Sequence, residues 1–344
     1  MPITFKNMIS TANFSFLSHS RKYYSLLKQS VMILLLWTGF SYSAFCTSYP
    51  LPTNPGDSLI GDPGTPTIVT ATKDDTLLDI AFRYDVGQNE ILLANPDIDR
   101  WMPGEGTEVI IPNSYLLPNA PREGLVLNLP EFRLYYYPND KEQPTNSVLT
   151  YPISIGRQDW ETPLGVTKII EKKANPTWTP PASIKKEHAA KGEILPDVVP
   201  AGPDNPLGLF AIRLGIPGYL IHSTNKPYGV GMRVSHGCIR MYPKDIEKLF
   251  PEIPVGTPVH IVNQPIKVGW LNNILYIQVY PPLEGENSSY DDYLQKALDL
   301  IEKANNDQIP VLEGEQLTKA LKERNGKPVA IFQRKLEINS EANE

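Results

Sequence analysis

Apolar residues in this chain fall mostly in short runs and alternations bounded by proline, glycine and asparagine, and reach helical spacing at only a few places. Ile68-Val69-Thr70 suits a short strand. The run from Thr76 to Tyr84 has helical apolar spacing, with Asp75 placed to cap it. A second short helix fits Gln88 to Ala94 and is stopped by Asn95-Pro96. After a Pro103-Gly104 turn, Thr107 to Ile111 completes a β-α-α-β unit over residues 67–112.

From Gly124 onward the period shortens. Leu125–Leu129 and Phe132–Tyr137 flank Pro130-Glu131 as a hairpin. Further strands fit Val148–Ile155, Val166–Glu171, Leu209–Leu214, Tyr219–His222 and Val259–Val262, with a helix at Pro243–Phe250. A mostly antiparallel β domain over 122–263 is expected. Residues 264–344 differ again: a hairpin over Val268–Tyr280 turning at Asn272-Asn273, a helix opened by the capping box Ser289-Tyr290-Asp291-Asp292, and another helix running to about Arg324. Residues 47–66 hold five prolines and three glycines and read as a linker.

The first 46 residues read as an export segment. Arg21, Lys22 and Lys28 form a basic flank before the apolar run Val31–Phe40, and small residues (Ser41, Ser43, Ala44) follow. That run is about half the length of a membrane-spanning helix, so cleavage is expected, an uncleaved anchor being the alternative. Bulky Phe45 before Cys46 does not fit a lipoprotein site. Removing residues 1–46 removes Lys6, Arg21, Lys22 and Lys28 and no acid, so the net charge goes from −6 to −10. No basic stripe remains for a phosphate backbone, which excludes nucleic acid as an expected partner.

Cys46 and Cys238 are the only cysteines. An exported chain cut near Cys46 keeps one thiol, where an oxidising compartment usually pairs cysteines or dispenses with them. Cys238 sits in Ser235-His236-Gly237-Cys238-Ile239-Arg240, sixteen residues after His222. An imidazole that takes the thiol's proton turns a weakly ionised thiol into a nucleophile. Gly237 leaves the backbone beside the sulfur open, so that nearby amides can face an oxyanion. A bland buried cysteine, or a zinc site using His222, His236 and Cys238, are the alternatives; zinc lacks an evident fourth ligand. Spacing alone does not rank the two histidines. Arg240 can pair with a substrate carboxylate or brace its own loop, and Tyr219 can line the cleft or the core.

These residues support two resemblances. The stretch 67–112, with Asp75-Thr76-Leu77, Ile80-Ala81 and Ala94-Asn95-Pro96, resembles a LysM module, although Lys73-Asp74 stands where Pro-Gly is usual. That resemblance implies binding to N-acetylglucosamine-containing glycan strands, with Asp75, Thr76, Asn95 and Pro96 as candidate contacts. His222-Ser223 with Ser235–Arg240, Ser154-Ile155-Gly156 and Glu161–Gly165 resembles the L,D-transpeptidase catalytic domain, also called YkuD. Leu164 departs from the usual Thr-Pro-Thr-Gly.

The second resemblance implies a mainly β, sandwich-like catalytic domain at 122–263 in a Gram-negative periplasmic enzyme. Cys238 is then the nucleophile, His222 the proton donor and acceptor oriented by Ser223, and His236 a support for the loop and oxyanion region. Gly237 lies beside the sulfur, while Arg240, Tyr219 and Ser235 line the substrate side. The implied partners are peptidoglycan stem peptides and an acceptor amine, which includes an outer-membrane lipoprotein. No metal or organic cofactor is implied. Hydrolysis by the same site (an L,D-carboxypeptidase or endopeptidase) and a non-catalytic wall-binding protein are the competing functions.

Overall fold

The computed structural model describes residues 48–138, 146–283, 285–286 and 288–334. The export segment and Cys46 lie outside them. The linker expectation for 47–66 is corrected within the described part. Ser48–Pro50 forms strand β1, paired with the long strand Ser147–Gly156, and Leu59–Ile60 forms β2. Leu59 and Ile60 are only 1% and 2% exposed. Ile60 packs with Val126, Tyr135 and Val148 on one face of the large sheet, so a proline-rich composition here marks short strands and turns and not a free tether.

The β-α-α-β unit comprises β3 (Thr67–Thr70), α1 (Leu77–Arg83), α2 (Gln88–Ala94) and β4 (Glu108–Ile111), with β3 and β4 antiparallel. Its own core gathers Leu77, Ile80, Ala81, Ile91, Val109 and Ile111. Thr76, and not Asp75, caps α1: its hydroxyl accepts from the Asp79 amide. Asp75 instead accepts from the Thr72 amide and pairs with Arg83 at 2.5 Å.

The strand β5 (Tyr115–Leu116) pairs with β2. The catalytic region then supplies β6 (Gly124–Asn128), β7 (Arg133–Tyr137), β8 (Ser147–Gly156), β9 (Gly165–Ala174), α3 (Ala182–Ala190), β10 (Phe210–Leu214), β11 (Leu220–His222), β12 (Arg233–Ser235), β13 (Ile239–Met241), α4 (Pro243–Glu252) and β14 (Pro258–Val262). The strand order β8-β13-β11-β10-β9-β14-β6-β7 returns to β8, so the sandwich-like expectation resolves into a sheet closed on itself. The pairings are mostly antiparallel, as expected, with three parallel exceptions: β11 with β13, β14 with β6 and β12 with β8. Alternation on β6 explains its unbroken apolar run. Leu125 and Leu127 enter one core with Ile153, Ile221, Ile239 and α4 residue Ile246, while Val126 enters a second with Ile60, Tyr115 and Tyr135.

The last region is a three-stranded sheet, β15 (Ile266–Leu271), β16 (Ile274–Val279) and β17 (Val329–Gln333), covered by α5 (Tyr290–Ala304) and α6 (Gly314–Glu323). The hairpin expectation omitted β17, which joins only after both helices. Lys267 on β15 is fully buried and pairs with Glu131 in the turn between β6 and β7.

The β-α-α-β unit is welded on in the same way. Glu90 of α2 accepts from Arg133 of β7 at 2.8 Å, with side chains 7% and 3% exposed. Removing one partner of a buried pair leaves the other charge uncompensated. Glu90→Ala is therefore expected to cost about 3–5 kcal/mol. The thermal midpoint should fall by about 10 °C. An unchanged midpoint in calorimetry would show that the pair contributes nothing.

Candidate active site

The site is built on the parallel pair β11 and β13. Ile221 stands opposite Ile239 and His222 opposite Arg240, with Cys238 immediately before β13. Facing residues on neighbouring strands share a side, and alternate residues return to it. The register therefore brings His222, Arg240 and position 238 to one side of the sheet. Strand pairing thus brings positions sixteen residues apart in sequence to the same side, and the intervening segment folds out as a loop.

The turn that presents Cys238 is locked at several points. Gly237 takes φ +95°, and an added Cβ would lie 2.7 Å from the Tyr219 ring, so only glycine fits. Its carbonyl accepts from Thr162 Oγ1 at 2.8 Å, and the Thr162 hydroxyl in turn accepts from the Gly156 amide at 2.9 Å. Ser235 is buried, and its hydroxyl donates to the Cys238 carbonyl. Tyr219 Oη donates to the Glu161 carbonyl at 3.2 Å.

His222 is 4% exposed and its Nδ1 lies 2.5 Å from the Ser223 carbonyl. A carbonyl only accepts, so Nδ1 carries the proton and the neutral ring keeps Nε2 as its base. Ser223 acts through this backbone oxygen. Burial, reinforced by the Arg240 charge, pushes His222 down to about 3, against the Ser223 hydrogen bond. Burial also pushes the Cys238 thiol up, against the Leu220 backbone and the Arg240 charge. At neutral pH the resting groups are thus a neutral thiol and a neutral imidazole. The thiol donates to the Gly218 carbonyl at 3.6 Å, and no hydrogen bond joins it to His222. Catalytic hydrogen bonds commonly tighten only when substrate is bound.

A raised thiol has a measurable consequence. The rate of Cys238 alkylation by iodoacetamide, followed by peptide mass, is expected to be still rising at pH 9.0, the ordinary value for this thiol. A plateau already reached at pH 7 would reveal a resting thiolate.

His236 goes elsewhere. Its Nε2 lies 2.8 Å from Glu187 on α3, and its ring meets Trp160 edge-on at 5.2 Å. Glu187 also accepts from Arg157 at 2.6 Å and Lys191 at 2.8 Å. Arg157, Lys191 and then His236 hold its carboxyl far below the ordinary range. His236 therefore ties the cysteine motif to the segment between β9 and β10. Arg240 is half-buried. Among the described residues no Asp or Glu pairs with it, and its Nε has no hydrogen-bond partner. Among the described residues no three or more His, Cys, Asp or Glu side chains converge as a metal-binding group.

The family model for the L,D-transpeptidase catalytic domain matches residues 122–261. The chain is 40% identical over 303 residues to YbiS of Escherichia coli K12, covering 85% of this chain and 94% of that one. It is 46% identical over 245 residues to YcfS of the same strain, covering 70% and 74%. Both are named probable L,D-transpeptidases. The chain belongs to the L,D-transpeptidase family. A solved catalytic domain of the Enterococcus faecium L,D-transpeptidase aligns with 42% of this chain and 100% of its own, at 22% identity and a TM-score of 0.31.

The match to the family domain contains His222, Cys238 and Arg240 but not the β-α-α-β unit, whose candidate glycan contacts need separate placement. Asn95 is 4% exposed, and its side chain donates to the Ile91 and Ile110 carbonyls and accepts from the Ile110 amide. It closes the unit and has nothing left for a sugar, which corrects its assignment. Asp75 is likewise occupied by Arg83 and Thr72, and Thr76 by its cap; Pro96 is exposed. Trp101 and Met102 are 59% and 79% exposed in the loop that meets the start of α1 through Leu77 N to Arg100 O. Glu187 was overlooked. It stands 49 residues before His236 in a polar helix, and nothing local connects the two.

Proposed function

We propose that this chain is an exported L,D-transpeptidase that acts on peptidoglycan tetrapeptide stems through a Cys238 thioester. The observation that carries the reading is the register of β11 and β13, which gathers His222, Arg240 and Cys238 at one site. His222 Nε2 takes the thiol proton as Sγ attacks the carbonyl before the terminal D-alanine. Backbone amides near Gly237 face the developing oxyanion. Collapse breaks the C–N bond, His222 returns the proton to the departing amine, and a thioester remains. An acceptor amine, from a neighbouring stem or an outer-membrane lipoprotein, attacks the thioester and gives its proton to His222. Cys238 then leaves and recovers that proton.

Arg240, unpaired in a half-buried place, receives a stem carboxylate in this scheme. Tyr219 and Ser235 shape the turn and its cleft. The β-α-α-β unit holds the glycan strand as a LysM module, with Trp101 and Met102 as its exposed apolar surface. The segment 1–46 directs the protein to the periplasm; among the described residues no helix is long and apolar enough to cross a membrane.

The reading is tested by intact-mass and product analysis with purified disaccharide-tetrapeptides. A cross-linked dimer and a transient thioester adduct are expected. Tripeptide alone would move the assignment to hydrolysis, and neither product nor adduct would remove it.

A further inference from the structure

The β-α-α-β unit touches the catalytic region where the chain passes from His222 to Cys238. Helix α2 has Gly87 at its N-cap, which has no side chain to cap it. The amides of Gln88 and Asn89 donate instead to the carbonyls of Val230 and Gly231, at 2.9 and 3.2 Å. The orphan donors of a helix start are thus satisfied by the loop after His222. The approach leaves no room for a methyl group on either side. A Cβ on Gly87 would lie 3.0 Å from Gly231 Cα, and one on Gly231 2.3 Å from Gln88 N.

The same loop is pinned on its other flank. Ser154 Oγ donates to the Gly229 carbonyl at 2.7 Å, and the Ile155 amide donates to Met232 O at 3.1 Å. Tyr228 Oη reaches Asp79 of α1 at 2.9 Å, and Tyr242 Oη reaches the Val86 carbonyl at 3.0 Å. Three residues beyond Met232, Ser235 holds the Cys238 carbonyl. Strand pairing fixes Ile239 and Arg240 directly, but the turn 235–238 takes its entry direction from this clamped loop.

We infer that the β-α-α-β unit is a positioning element of the catalytic site, with the Gly87–Gly231 contact setting the path of the loop that leads into the Cys238 turn. A unit that only tethers the enzyme to glycan raises local concentration and is irrelevant to a soluble, glycan-free peptide. A positioning unit matters for that peptide too. This inference rests on Cys238 being the nucleophile, so its test includes a readout that needs no substrate.

The experiment uses the intact protein and the graded series Gly87→Ala and Gly87→Val. Gly87 has φ −78°, which any residue adopts, so these variants widen the contact without backbone strain. Ile111→Val, which loosens the unit's own core away from the loop, is the control. Turnover of a glycan-free tetrapeptide and the rate of Cys238 alkylation are measured for each. Displacing reacting groups by a fraction of an ångström to an ångström costs up to about 100-fold. Gly87→Val is therefore expected to lower kcat about tenfold or more, with KM little changed. Its alkylation rate should change in step, and Ile111→Val should keep both values at matched stability. Wild-type kcat and alkylation in Gly87→Val would overturn the inference. Equal losses in Ile111→Val would overturn it too, by making the effect one of general stability. Absence of any Cys238-dependent product in the wild type would instead overturn the proposed function, while the alkylation series would still report on the contact.

Discussion

Replacing Cys238 with alanine is expected to abolish both the thioester adduct and all cross-linked product, a loss of about 10⁴-fold or more in turnover. The residue is half-buried at the end of a turn whose backbone is held by Ser235 and Thr162, neither of them through the sulfur. The thiol's hydrogen bond to the Gly218 carbonyl, at 3.6 Å, is weak. Losing the sulfur should therefore cost little stability, and the far-ultraviolet spectrum and thermal midpoint should stay near wild type. Cys238→Ser sharpens the test, because the hydroxyl fits the same space. An alcohol gives up its proton to a neutral imidazole far less readily than a thiol does, so the serine variant should also be nearly inactive. More than a few per cent of wild-type turnover in Cys238→Ser would mean that another group carries the acyl chain.

How much of this site the sequence discloses depends on the range of each interaction. Strands with a clean apolar pattern, such as Leu125–Asn128 and Pro258–Val262, are legible because both their faces are buried. The capping box at Ser289 is legible because its hydrogen bonds span three residues. The strand β1 is not, since Ser48-Tyr49-Pro50 becomes a strand only by pairing with β8, about a hundred residues later. The helix α3 is obscure for the opposite reason. Only Ile184 among its residues is buried, so no apolar stripe announces it. It is held over the catalytic region by Glu187, which gathers Arg157, Lys191 and His236.

The roles of the two histidines illustrate the same limit. Both precede Cys238 in sequence, and His236 is much the nearer. Strand pairing and the Glu187 contact separate them. His222 sits opposite Arg240 on a paired strand, while His236 falls in the turn and is drawn away by Glu187. The glycan candidates misled for a related reason. Asn95 stands out in sequence because the fold needs its amide to tie α2 to β4, and that need consumes the side chain.

His222 is expected to show the second large effect, and its pH dependence discriminates its role. His222→Gln should lower kcat by about 10²–10⁴-fold, the usual contribution of a positioned acid–base group. The glutamine side chain can retain a donor toward the Ser223 carbonyl but has no basic nitrogen. In the wild type the imidazole must be neutral to take the thiol proton. Since burial and Arg240 push it down to about 3, the acid limb of kcat/KM should not appear near pH 6.5. Activity should instead persist well into acid, to the point where the fold itself fails. The linkage has a definite sign: the unfolded chain protonates this histidine below its ordinary value of 6.5, whereas the folded chain excludes the proton until about 3. The stability contributed by a neutral His222 is complete above pH 6.5 and is lost as pH falls through that window. His222→Gln, which cannot take up a proton, should unfold less steeply with acid than the wild type while remaining catalytically poor at every pH. An acid limb at pH 6 to 7 that disappears in the variant would mean that the imidazole titrates freely, and would remove the desolvated neutral base from the mechanism.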